Sequence, residues 1–144
     1  MATVQSPKPK GKHFTVEEAN ATLPLLRSIL RDVTALAHEL RERHQTLLRM
    51  QSSGSLDAAH EEEIQQLAEA FERDQDRMRE YEHELKSLNI ELKDYFTGLV
   101  DFPCRMNGRE VYLCWKLDEP EVTHWHELDA GFAGRQKLKQ QAWN

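Results

Sequence analysis

From Leu23 onward the apolar residues fall three and four apart through Leu26, Leu30, Val33, Ala37, Leu40 and Leu47, with His44 filling the one polar slot. The same spacing returns later through Ile64, Leu67, Phe71, Met78, Tyr81, Leu85 and Leu88, with Asp74 interrupting it. Such a period lines one face of an α-helix and is the seam of a coiled coil. Between the two runs stands Gln51-Ser52-Ser53-Gly54-Ser55, built of residues that favour turns over helix interiors. Two seams of similar length joined this way predict an antiparallel hairpin. Residues 22–50 as helix would span roughly 43 Å, longer than a small globule is wide, so the far end needs company or frays.

The first helix has a readable start. Thr15 precedes Glu18 by three positions, the spacing at which each side chain satisfies a free amide of the other's backbone. Pro24 lacks the amide a continuing helix uses, which predicts a kink or restart near Thr22, itself able to cap. Ile29 and Leu36 widen the apolar stripe beyond what one antiparallel neighbour covers, which predicts a homo-oligomer or a protein partner.

Beyond Asn89, a residue suited to the left-handed conformation that closes a helix, the period becomes alternating. Ile90–Lys93, Leu99–Pro103, Glu110–Leu117 and Glu121–Leu128 read as strands, and Asn107-Gly108 between two of them is a type I′ hairpin signal. The predicted fold is α+β: a long antiparallel two-helix coiled-coil hairpin followed by a small antiparallel β-sheet of three to four strands. The division is a disordered tail over 1–13, one domain over 14–138 (hairpin 14–89, β-module 90–138) and a tail over 139–144.

The charge pattern narrows the function classes. The net charge is −6, and the basic residues from Arg27 to Arg79 are interleaved with Glu and Asp, so nothing is arranged to neutralise a phosphate backbone and no nucleic-acid partner is expected. No run approaches the ~20 apolar residues that span a bilayer, and no apolar core follows Lys8, Lys10 and Lys12 to make a signal peptide. The two cysteines, Cys104 and Cys114, make neither a disulfide framework nor a C-x-x-C motif. A cytoplasmic protein is expected.

Gly98-Leu99-Val100-Asp101-Phe102-Pro103, Val111-Tyr112-Leu113-Cys114-Trp115, Trp125-His126 and Gly131-Phe132-Ala133-Gly134-Arg135, after the opening Phe14-Thr15-Val16-Glu17-Glu18-Ala19-Asn20, resemble the bacterial family called domain of unknown function 2203. The resemblance runs from Phe14 to Leu138, with Asn89 standing where such sequences tend to have Gly. It implies a shared fold and carries no activity.

The residues themselves suggest one constellation. A two-residue loop at Asn107-Gly108 sets Met106 opposite Arg109, and hence Asp101 opposite Cys114. Val100, Phe102, Val111, Leu113 and Trp115 then share a core face, while Asp101, Pro103, Tyr112, Cys114 and Lys116 share the other. If the next hairpin closes through Asp118-Glu119-Pro120, His124 and His126 join that second face. Carboxylate, thiolate and imidazole are ligands for a divalent metal such as zinc, and three protein ligands with an open position is a catalytic pattern. A solvated polar surface is the plain alternative for Asp101, Cys114, His124 and His126.

Two weaker features complete the reading. Glu80 and His83 have the E-x-x-H spacing of di-iron bundles but no second copy, so a solvated face is expected. Gly131–Arg135 offers backbone amides and a guanidinium to a small anion, with Arg135 and Tyr112 as candidate ligand contacts; Phe132 packing and Arg135 pairing with a carboxylate of the β-module is the plain reading. A non-catalytic oligomerising or partner-binding module is therefore the leading expectation, and a metal-dependent enzyme the contrasting one.

Overall fold

The computed structural model describes residues 11–54 and 57–139. Two helices, α1 (Val16–Ser52) and α2 (Ala58–Ser87), precede five strands: β1 (Glu91–Asp94), β2 (Leu99–Met106), β3 (Arg109–Trp115), β4 (His124–Glu127) and β5 (Gln136–Lys137). The strands form one antiparallel sheet in chain order. The expected tails at 1–10 and 140–144 lie outside the described residues, whereas His13 is engaged, with Nε2 3.0 Å from Glu110. No described helix is long and apolar enough to cross a membrane.

Thr15 caps α1 as its spacing predicts, its hydroxyl accepting from the Glu18 amide while the Glu18 carboxylate accepts from the Thr15 amide. The expected restart near Thr22 does not occur. The helix runs unbroken through Pro24, and the Thr22 hydroxyl donates to the Ala19 carbonyl at 2.6 Å instead of capping. Ala19, Leu23 and Leu26 are buried on either side of the proline, so packing on the sheet outweighs one missing amide. At the other end of the hairpin, Asn89 takes φ 61° and turns the chain into β1.

The core lies between α1 and one face of the sheet. Val100, Phe102, Val111, Leu113 and Trp115 are wholly buried there, with the Phe14 ring edge-on to Phe102 at 5.2 Å. Ile29 and Leu36 belong to this same core, so the chain's own β-module covers the stripe that suggested an external partner. Asp74, the polar break in the second seam, is buried and answered by Arg43 of α1 and by Arg77 at 3.5 Å.

The sheet departs from the predicted strands at its far side. Glu121–Thr123 stay out of the ladder because the Val122 amide is claimed by the Asn20 side chain of α1 at 2.8 Å. Conversely, Gln136–Lys137, which lie outside every predicted strand, pair with β4 as a fifth strand.

Candidate metal centre

The ladder between β2 and β3 pairs Met106 with Arg109, Phe102 with Leu113 and Asp101 with Cys114, the register a tight Asn107-Gly108 turn imposes. Asn107 and Gly108 have φ 54° and 77°, the left-handed values that a type I′ turn requires. Between β3 and β4, Cys114 pairs with His124 and Tyr112 with His126. Strand alternation then puts Asp101, Tyr112, Cys114, His124 and His126 on the face turned away from α1.

That face is not a solvated patch. Asp101 and His126 are each 2% exposed and Cys114 is wholly buried. Side chains from other parts of the same chain lie against it. The Arg135 Nη2 donates to the Cys114 carbonyl at 3.1 Å and to the Glu119 carboxylate at 2.6 Å, and the Lys93 ammonium sits 5.9 Å from the centroid of the Tyr112 ring.

Asp101, Cys114 and His126 converge so that one ligand atom from each lies within 4.8 Å of the other two. Among the described residues they form the one such group of three. His126 reaches it on the diagonal from Cys114, a distance long side chains bridge in a sheet. Its Nε2 is 2.9 Å from the Asp101 carboxylate, and its Nδ1 is 2.7 Å from the Glu127 carbonyl. A carbonyl can only accept, so Nδ1 carries a proton. Nε2 therefore faces the carboxylate with either a second proton or a lone pair.

Without a metal the proton is the answer. Burial pulls the imidazole toward its neutral form, but hydrogen bonds to Asp101, Cys114 and the Glu127 carbonyl outweigh it, and the His126 pKa is pushed up to about 10. The other carboxylate oxygen, Asp101 Oδ1, is buried with no hydrogen-bond partner. An unanswered carboxylate oxygen in a sealed site is costly and marks a place where a cation fits.

His124 stands apart from the cluster. Its Nδ1 lies 2.9 Å from the Thr123 hydroxyl and 4.0 Å from Glu119. Burial and the Arg135 charge together lower its pKa, against the pull of Glu119. Tyr112 is also engaged: its ring tilts against the His126 ring at 5.6 Å, and burial together with Glu91 raises its hydroxyl pKa. Phe132, expected to pack, is 47% exposed, with the Arg135 and Lys116 cations 4.9 and 5.6 Å from its ring centroid. Arg135 does pair with a carboxylate of the β-module, that of Glu119. Glu80 and His83 are both exposed.

Residues 12–138 match a family described as an uncharacterized conserved protein, DUF2203. The chain belongs to the DUF2203 family. No curated protein and no solved structure matches it. The DUF2203 match spans all five strands, and so includes each residue of the cluster and the Glu119 and Arg135 that close over it.

Two members of this arrangement escape a reading of strand parity. Glu119 sits in a loop, yet it accepts from the Lys116 amide at 2.9 Å as well as from Arg135. Glu91 lies opposite Asp101 on the edge strand. A carboxylate directly before Pro120 was the available signal for the first; the second follows only once β1 is known to pair with β2.

Proposed function

We propose that this chain is a cytoplasmic metal-binding protein that holds one divalent ion of the zinc class through Asp101, Cys114 and His126. The observation that carries the reading is the His126 ring, whose Nδ1 is committed to the Glu127 carbonyl and whose Nε2 points at a carboxylate and a thiol. Histidines that ligate metals are oriented this way, with the second nitrogen donating to a backbone carbonyl or carboxylate.

The ligand spacing supports it. With Zn–S near 2.3 Å and Zn–N near 2.0 Å, two ligand atoms on one ion stand roughly 3–4 Å apart, so small rotations close a 4.8 Å cluster onto an ion. The donor set, one thiolate with an imidazole and a carboxylate, suits zinc better than calcium or magnesium, which take oxygen. Three protein ligands leave a fourth position for water or another small ligand. Two free, buried cysteines favour a reducing compartment.

A Cys–His–Asp nucleophilic relay is the poorer fit. Such a relay uses the two imidazole nitrogens for two different partners, thiol on one side and carboxylate on the other. Here Nδ1 is spent on backbone, and Asp101 and Cys114 crowd the remaining side.

Cobalt(II) titration of the purified full chain tests the reading. One equivalent should bind with a thiolate-to-metal charge-transfer band, lost in Cys114→Ser and His126→Ala and retained in His124→Ala. Circular dichroism of each variant separates lost binding from lost fold. No binding, or binding indifferent to both ligand substitutions, overturns it.

A further inference from the structure

We infer that the groove between α1, α2 and the connection from β1 to β2 is a binding site for a small apolar carboxylate, with Arg41 receiving the charged head. The groove shares no residue with the metal centre, so this site goes beyond that reading.

The hollow follows from the side chains that border it. Ala37 is the smallest residue of the α1 seam and leaves space where a longer side chain would reach. Leu40 of α1 and Phe71 and Met78 of α2 line that space, and Tyr95 and Phe96, from the connection after β1, stand beside it. The volume is about 400 Å³. That lies toward the lower end of the roughly 300–1,000 Å³ usual for small-molecule sites, and suits a ligand of about ten non-hydrogen atoms.

Charge decides the class of occupant. Arg79, on the same wall, is already paired with Asp76. The Tyr95 pKa is raised by burial and by Glu82 beside it, so the hydroxyl stays protonated and offers that carboxylate a donor. Arg41 differs from both. Its guanidinium lies 4.7 Å from the centroid of the Phe96 ring and its Nη2 is 3.2 Å from the His38 Nδ1, and no carboxylate among the described residues pairs with it. A guanidinium held against an aromatic ring keeps in-plane N–H groups that match the two oxygens of a carboxylate.

An uncharged apolar ligand would leave Arg41 unanswered, and a small anion with no tail would leave Leu40, Phe71 and Met78 facing water. A carboxylate on a short apolar chain answers both, and its tail also gives the 41% exposed Phe96 a surface to lie against.

Octanoate and 1-octanol share a tail and differ in the charged head, so calorimetric titration of each into the full chain at neutral pH reads the outcome. Octanoate should bind at one site, roughly tenfold more tightly than 1-octanol. Arg41→Gln should abolish that preference and leave octanol binding as it was. Arg31→Gln, at an arginine of α1 that does not line the groove, should change neither. Both arginines are exposed, so their replacement leaves the fold in place. No saturable binding of octanoate, equal binding of the two probes, or a preference that survives Arg41→Gln overturns the inference. So does a light-scattering mass of twice 16.8 kDa with octanoate excluded, which would give the groove to a second copy of the chain.

Discussion

The Arg135 guanidinium and the Glu119 carboxylate meet at 2.6 Å, with only 11% and 16% of the two side chains exposed. Burial tends to raise the Glu119 pKa, but the hydrogen bonds from Arg135 and from the Lys116 amide prevail and hold it below the ordinary 4.5. His124, 4.0 Å away, also faces it. A depressed carboxylate stabilises the fold in full above its unfolded pKa and loses that contribution as pH falls through the folded value. The stability gap between the wild type and Glu119→Gln should therefore be constant above about pH 4.5 and close in more acid solution. Denaturant midpoints measured across that range give the answer, and a gap that widens in acid contradicts the pairing.

Trp115 is wholly buried against α1, its indole N–H donates to the Glu119 carbonyl at 3.0 Å, and the Arg27 guanidinium lies 5.7 Å from its ring centroid. Trp115→Ala should cost on the order of 3–5 kcal/mol from lost burial and the cavity left behind. Chemical denaturation measures it, and a loss under about 1 kcal/mol would be out of line with so buried a ring.

Gly98 and Gly54 both have positive φ, 66° and 71°, but only Gly98 is crowded: a Cβ there would meet the Leu117 Cβ at 3.0 Å. Gly54 has nothing within 4 Å. Gly54→Ala should cost about 1 kcal/mol from backbone strain alone, and Gly98→Ala more, since the Leu117 side chain must also yield. Thermal melts of the two variants should rank them in that order.

The thiols should be silent in the folded protein. Burial pushes the Cys104 pKa up to about 11, and Cys104 and Cys114 are 1% and 0% exposed. Alkylation at neutral pH, followed by mass spectrometry, should add nothing to the native chain and two labels once it is unfolded. Rapid labelling of Cys104 in the native state would mean that the sheet does not stay closed over it.

What could be read in advance follows physical reach. Asp101 and Cys114 share a face because Asn107-Gly108 admits one turn geometry, and the turn and the alternation are both local. The choice of His126 over His124 is not local. It depends on Glu119 and Thr123 standing beside His124 and on the Glu127 carbonyl holding the His126 ring. The second face is buried because Arg135 returns to the Cys114 carbonyl from 21 residues away. Pro24 was misjudged for the same reason, since the packing that carries α1 through it comes from the β-module.

The contacts that join the two halves of the chain bear on how fast it folds. The helical hairpin and the sheet are each closed by short connections, but α1 and the residues just before it meet the β-module through His13 to Glu110, Arg27 to Pro120 and Asn20 to Val122, pairs separated by 97, 93 and 102 residues. Each half can assemble early, and the search that brings α1 onto the finished meander is the slow event. In a refolding experiment, helical signal should therefore return before the Trp115 environment does.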